Sequence, residues 1–412
     1  MKTTEVTEGI FRLSANVEDI LFEGIWPIPN GVSMNSYIVK GAKAAIVDGV
    51  CDWDGVPETL YEQLDQMQVD INDIDYVIMN HLEPDHSGWF RSFLELRSDV
   101  TVVTSEKGAE LVKHFYGYEG EVRSVRHGDT LDLGDGRVLL FAEIPNVHWP
   151  ETIATYDTRS KTLLPCDAFG SFGSIGEKMY DDQLDEQELA FFEQEATRYY
   201  ANIVGPFSAF VQRAIDKLKD IEIRIIAPGH GIVWRKDPGR IVGDYIRYAS
   251  YSKGPAKTDV TVLYSSMYGM TARGVDPVIE GLESEGVTVH VHRLPEAPWG
   301  DVLASVWQSS GVVVATPTYE YKMFPPMAAL LEELGRKKVL NRRAFSFGSY
   351  GWSGGAQKEL GEIMERNRMS WDFLETVEFR GAPTDEHLRL IRLRGRELAV
   401  AVKEWVAGAR DS

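Results

Sequence analysis

Six consecutive residues, His81-Leu82-Glu83-Pro84-Asp85-His86, carry four metal-ligand side chains directly after the apolar stretch Tyr76-Val77-Ile78-Met79. A β-branched and aromatic run that ends in such side chains, with a proline turning the chain, reads as a strand delivering a loop to the edge of a sheet. His81 and Glu83 are two apart, so an extended backbone points both to one side, while Pro84 redirects the chain and lets Asp85 and His86 face a second point. One loop can therefore serve two metal ions. The plain alternative is a polar surface loop. Against it, four ligand types in six positions is a dense cluster for a chain with nine histidines, and such clusters mark metal or catalytic sites.

The pattern recurs. Ile144-Pro145-Asn146-Val147 precedes His148, Thr162-Leu163-Leu164-Pro165-Cys166 precedes Asp167, and Arg224-Ile225-Ile226-Ala227-Pro228-Gly229 precedes His230. A lone histidine such as His148 is more often structural. Three strands each ending in one ligand type are what a site at one edge of a layered αββα fold requires. Strands are expected at 6–14, within 36–49 as a hairpin, and at 100–104, 122–125 and 137–141, with helices at 56–68 and 89–96. Two more helical stretches lie within 183–219, separated by residues 202–206. The seven candidates suit two ions sharing one carboxylate. Asp167 is the natural bridge, with His81, Glu83 and His148 on one ion, Asp85, His86 and His230 on the other, and an open position on each.

The His-x-Glu-x-Asp-His run, followed by single His, Asp and His residues at wide spacing, resembles the metallo-β-lactamase domain of flavodiiron proteins. Hydrolytic relatives of that fold carry His where this chain has Glu83, and a carboxylate hardens the site and favours iron over zinc. The resemblance implies two iron ions per chain. It also implies a tyrosine near the metals, a catalytic role for which Tyr199 and Tyr200 both qualify; a core aromatic explains either equally well. The loop 26–31 is open to two readings, a cover over the pocket or a rigid connection.

Residues 252–258, Ser-Lys-Gly-Pro-Ala-Lys-Thr, are small, polar and rich in breakers, and read as a linker between domains at 1–252 and 259–412. Beyond it strands alternate with helices: strands at 259–264, 287–292, 311–315, 343–347 and 373–379, and helices at 272–285, 300–308, 325–336, 354–367 and 385–406. This grammar makes an open, doubly wound parallel sheet. The first strand ends in Ser265-Ser266-Met267-Tyr268-Gly269-Met270-Thr271, hydroxyls and a glycine ahead of a helix, which suits a phosphate. On its own this is as readily a helix cap. Two more loops follow strands at the same edge, Thr316-Pro317-Thr318-Tyr319-Glu320 and Ser349-Tyr350-Gly351-Trp352-Ser353-Gly354, where open α/β sheets bind ligands. The three loops together resemble those of flavodoxin. That likeness implies FMN, its phosphate in 265–271 and its ring between the other two loops, with Trp352 a ring contact. Glu320-Tyr321-Lys322 stands where relatives have a small, glycine-rich segment. His290 and His292 could form a metal pair, but no third ligand accompanies them and a solvent face explains them better.

The net charge of −20 argues against nucleic acid or an anionic membrane as partner. Cys51 and Cys166 form no Cys-x-x-Cys pair, which excludes a built-in rubredoxin and reads as two buried thiols in a reducing compartment. No apolar signal core or membrane-length run is present, so a cytoplasmic protein is expected. Jointly the two halves resemble a flavodiiron reductase. The resemblance implies electrons passing from an external donor through FMN to a diiron site that reduces O2 to water or, alternatively, NO to N2O. It further implies a rubredoxin-type protein or a reduced soluble cofactor as donor. A head-to-tail homodimer or dimer of dimers is also implied, bringing the FMN of one subunit to the iron of the other. A dizinc hydrolase fused to a flavodoxin, and an electron shuttle with a structural metal site, are the other classes the residues leave open.

Overall fold

The computed structural model describes residues 4–50 and 58–410, which leaves Cys51 and the start of the helix expected at 56–68 outside the described residues. The chain divides into two compact units, Met1–Ile246 and Arg247–Ser412. The division falls ahead of the breaker-rich stretch 252–258, within the helix Pro238–Tyr251.

In the first unit two sheets are stacked. One has seven strands in the order Thr4–Thr7, Ile10–Val17, Val32–Lys40, Ala44–Val47, Ile74–Ile78, Thr101–Thr104, Val122–Ser124. The other runs Thr130–Asp132, Val138–Glu143, Ile153–Asp157, Thr162–Leu164, Ile225–Ile226. The strand expected at 6–14 is a hairpin, its two arms pairing across Gly9, where φ is +73° and a glycine turns without steric cost. The hairpin expected within 36–49 is present as Val32–Lys40 against Ala44–Val47. Helices Glu58–Gln66 and Glu106–Tyr116 pack on the first sheet. Asn80 ties the two sheets together: its side chain donates to Leu164 O at 3.1 Å and accepts from Thr155 Oγ1 at 2.7 Å.

Helix Glu186–Tyr199 starts on a capping box between Asp185 and Glu188. The break expected at 202–206 is a single π-turn, Tyr200–Val204, then Gly205–Phe207 and helix Ser208–Leu218. The chain therefore stays helical where Gly205 and Pro206 suggest a loop, because a proline in the first turn sacrifices no hydrogen bond.

The second unit is a parallel sheet in the order Thr288–Arg293, Lys257–Tyr264, Ser309–Ala315, Arg343–Tyr350, with Asp372–Phe373 and Val377–Arg380 both beside Arg343–Tyr350. The central strand Ser309–Ala315 is buried at every residue, as a parallel strand covered on both faces must be. The strand expected at 373–379 is thus two short ones pairing with opposite ends of the same neighbour. Thr288–Arg293 is the edge. Its His290 lies 3.0 Å from Asp259 and its His292 2.8 Å from Ser305, so the two histidines are engaged separately.

Candidate metal centre and cofactor crevice

Strand Ile74–Ile78 delivers the 81–86 run to the end of the first sheet, and Pro84 opens a one-turn helix, Pro84–Ser87, that turns Asp85 and His86 away from Glu83. His148 stands in the loop after Val138–Glu143, Asp167 after Thr162–Leu164, and His230 after Ile225–Ile226. Cys166 takes a left-handed φ of 51°, a conformation costly for a non-glycine residue that the packed surroundings enforce where the chain presents Asp167. Gly229 is required for close approach, since a Cβ there would meet the His86 ring at 2.9 Å.

All seven expected ligands are brought together, in two sets. Glu83 Oε2 lies 3.3 Å from His81 Nε2 and 2.9 Å from His148 Nε2. Asp85 Oδ2 lies 3.4 Å from both His86 Nε2 and His230 Nε2. Asp167 divides its carboxylate between the sets. Oδ2 is 3.4 Å from His81 and 3.1 Å from His148, and Oδ1 is 2.7 Å from His86 and 3.3 Å from His230. His86 Nε2 and His230 Nε2 are nevertheless buried without a hydrogen bond of good geometry, so both nitrogens face the shared carboxylate with their bonding capacity unused. Two three-residue sets of imidazole and carboxylate around a shared carboxylate fit two borderline-to-hard divalent ions such as iron.

The facing carboxylates favour protonated imidazoles at His230 and His148. Burial pulls His230 down, but Asp167 and Asp85 outweigh it and push it up to about 10. His148 rises against burial to about 9 through Asp167 and Glu83. Burial raises Glu83, yet hydrogen bonds from His148 and His81 bring it down to about 2; burial also raises Asp167, but His86, followed by His148, His230 and His81, holds it well below the carboxylate range.

Several supporting residues went unrecognised in the sequence. Glu151 Oε1 is 2.8 Å from His81 Nδ1 and accepts from Leu82 N at 3.1 Å; it fixes the ring so that Nε2 faces the centre. The signal was available, because Glu151 follows His148 by three residues in His-Trp-Pro-Glu. Ser33 O does the same for His230 Nδ1 at 3.0 Å. Phe22 packs edge-on to the His230 ring at 5.7 Å and Trp149 to the His81 ring at 5.1 Å, giving the centre an apolar wall. Nothing local in the sequence marks Phe22.

The two tyrosines separate. Tyr199 stands 5.5 Å from the His230 ring, fully buried, with its hydroxyl unsatisfied. Tyr200 is engaged elsewhere: its hydroxyl donates to Ser208 at 3.0 Å and its ring packs on Tyr245. The loop 26–31 is held by Asn30, which donates to Glu195 at 3.0 Å, and by Gly173 and Ser174, whose amides donate to Gly31 O and Asn30 O.

In the second unit the three loops meet at the carboxyl ends of Lys257–Tyr264, Ser309–Ala315 and Arg343–Tyr350. Ser266 Oγ accepts from Gly269 N at 3.1 Å, and Thr271 Oγ1 lies 2.9 Å from Ser349 Oγ. Ser265 Oγ is buried with no hydrogen-bond partner. Thr318 Oγ1 accepts from Ala356 N at 3.3 Å, fixing the second loop to the third. Gly355 lies against Tyr321 O, where a Cβ would come within 2.0 Å. Tyr268, Tyr321 and Trp352 are 85%, 62% and 74% exposed around the crevice, and Tyr321 and Trp352 form an edge-to-face pair at 6.4 Å. An unsatisfied hydroxyl in a strand-to-helix turn and exposed aromatic rings beside it fit a phosphate with a flat ring system. Glu320 and Tyr321 are both at positive φ, 47° and 64°, at the tip of the hairpin Thr318–Tyr319 and Lys322–Met323.

The family model described as ODP family beta lactamase matches residues 32–231. A nitric oxide reductase from Moorella thermoacetica is 32% identical over 404 residues, 97% of this chain and 98% of the relative. The chain belongs to the flavodiiron proteins. Among other members, the anaerobic nitric oxide reductase flavorubredoxin of Salmonella typhi is 32% identical over 91% of this chain and 76% of its own length. The rubredoxin oxygen:oxidoreductase of Desulfovibrio gigas superposes with a TM-score of 0.90 at 26% identity, covering 98% of this chain and 100% of that one. The flavodiiron protein of Giardia intestinalis gives 0.90 and 26%, covering 98% of both chains. As a flavodiiron protein the chain combines the lactamase-like sandwich with the flavodoxin-like sheet. No helix among the described residues is long and apolar enough to cross a membrane.

Proposed function

We propose that this flavodiiron protein reduces O2 to water at a diiron centre, with electrons arriving from an external donor through FMN. The observation that carries this reading is the Asp167 carboxylate, shared between the set His81, Glu83, His148 and the set Asp85, His86, His230. These seven residues would hold two iron ions, and residues 265–271, 316–320 and 349–354 would hold FMN. When bound, the two irons supply electrons and positions for a diatomic molecule, and FMN accepts electrons from the donor and passes them on singly.

The chain's own residues set the conditions. Phe22 and Trp149 exclude water beside the histidines. Tyr199 offers a hydroxyl whose acidity burial suppresses, so it serves as a hydrogen-bond donor to a bound diatomic molecule. Glu83, the most accessible ligand at 18%, marks the open side.

Reduction of NO to N2O uses the same residues and is the second reading, favoured by the two relatives named as nitric oxide reductases. We further propose a rubredoxin-type protein or reduced soluble cofactor as donor, a cytoplasmic setting, and a head-to-tail homodimer or dimer of dimers. The deciding experiment is anaerobic stopped-flow on reduced, iron-loaded holoprotein mixed separately with O2 and with NO. Fast FMN reoxidation by O2, with one O2 consumed per reduced chain, supports the oxidase, and fast reoxidation by NO supports the second reading. Failure of both with two irons bound overturns them.

A further inference from the structure

The two candidate metal positions share Asp167 and match in ligand types, but the groups behind their histidines differ. His81 Nδ1 lies 2.8 Å from Glu151 Oε1, and neither side chain is exposed to solvent. His230 Nδ1 faces a neutral partner, the backbone carbonyl of Ser33 at 3.0 Å. His86 Nδ1 is buried without a hydrogen-bond partner. Among the described residues, Glu151 thus places a carboxylate behind the set His81, Glu83, His148 that the set Asp85, His86, His230 lacks. Asp48 does not cancel this difference, because its charge acts on both His86 and His81.

Glu151 is fixed where it stands. Its Oε1 also accepts from Leu82 N at 3.1 Å, and its backbone carbonyl accepts from Ser105 Oγ at 2.6 Å, the residue that caps helix Glu106–Tyr116. Its Oε2 is buried with no hydrogen-bond partner, so no further donor spreads the charge. The Trp149 ring closes the same side, edge-on to His81 at 5.1 Å. In a dry setting a charge at this range is little screened. A carboxylate that accepts from the far nitrogen of a ligating imidazole raises the basicity of the near one, and a more basic ligand favours the more highly charged ion.

We propose that Glu151 makes the two metal positions inequivalent, so that the ion held by His81, Glu83 and His148 is the first to lose an electron when the centre is oxidised stepwise. The inference rests on the diiron reading given above. Each step removes one electron from one ferrous ion, leaves it ferric and reduces one ferricyanide to ferrocyanide. Glu151 is a positioning residue that acts through His81, and its charge, beyond the orientation it gives the ring, sets the order of the two steps.

The test is an equilibrium redox titration of iron- and FMN-loaded protein with dithionite and ferricyanide, following the half-oxidised centre by electron paramagnetic resonance and FMN by absorbance. Glu151→Gln keeps an acceptor for His81 and removes the charge; Glu151→Asp keeps the charge and shortens the arm. In Glu151→Gln the first iron step should shift at least tenfold towards the reduced form, about 59 mV for one electron. The second iron step and the FMN steps should move less, and the half-oxidised signal should peak lower. Glu151→Asp should stay nearer the unaltered protein than Glu151→Gln, whereas a residue that only shapes the loop would suffer from both. An unmoved first step, an equal shift of both iron steps, or loss of iron from either variant overturns the proposal. Failure of the unaltered protein to hold two irons would instead count against the diiron reading itself.

Discussion

Asp167 offers one oxygen to each histidine pair, so its replacement should damage both halves of the centre. Asp167→Asn is expected to lower iron from two per chain to below one by elemental analysis; retention of two irons would refute the bridge. The tyrosines give a sharper contrast. Tyr199 has no hydroxyl partner, so Tyr199→Phe should not lower stability, yet should slow turnover about tenfold, the worth of one hydrogen bond of about 1.4 kcal/mol. Tyr200→Phe removes the bond to Ser208, costing about 1 kcal/mol of stability with turnover unchanged. Parallel melting and turnover measurements separate the two.

The protons held by His148 and His230 also have consequences, because metal ligands must be deprotonated. Both pKa values are raised, to about 9 and about 10, above an unfolded value of about 6.5. Their contribution to the stability of metal-free protein is therefore complete below pH ~6.5 and lost as pH rises toward 10. Metal affinity should move oppositely, rising with pH, and adding metal at pH 7 should acidify a weakly buffered solution. No acidification would show those histidines already neutral. At this scale the candidate ligands, which the fold brings together, were legible because ligand types crowd at strand ends. Glu151 and Phe22 were not, because what they support is visible only once the loops meet.

Elements place the crevice. The strand order puts the ends of Lys257–Tyr264 and Ser309–Ala315 side by side, at the switch point where a doubly wound sheet opens. Trp352 and Tyr321 stand there with most of their surface exposed, an outlay that an aromatic ligand would recover. Trp352→Ala should weaken FMN binding about tenfold, since a stacked aromatic contact is worth about 0.5–1.5 kcal/mol beyond its buried area, and leave iron content unchanged. Flavin fluorescence titration reads this directly, and unaltered affinity would remove Trp352 from the site. The alternation of strands and helices in this half was plain from hydrophobic periodicity. The split of the last strand into Asp372–Phe373 and Val377–Arg380 was not, because one apolar run does not reveal that two segments pair with opposite ends of a neighbour.

For the whole molecule, a head-to-tail dimer predicts that turnover per chain falls on dilution below the dimer dissociation constant, while FMN and iron remain bound. Sedimentation and turnover over the same dilution series would test this, and constant turnover through full dissociation would show that one chain suffices. The sequence alone determined the class of each half and the identity of the seven centre residues, because ligand chemistry and strand period are local properties. Tertiary structure decided which candidate ligands face each oxygen of Asp167 and which tyrosine stands beside them. Those outcomes depend on which strand ends become neighbours, and packing between sheets settles that where periodicity along the chain does not.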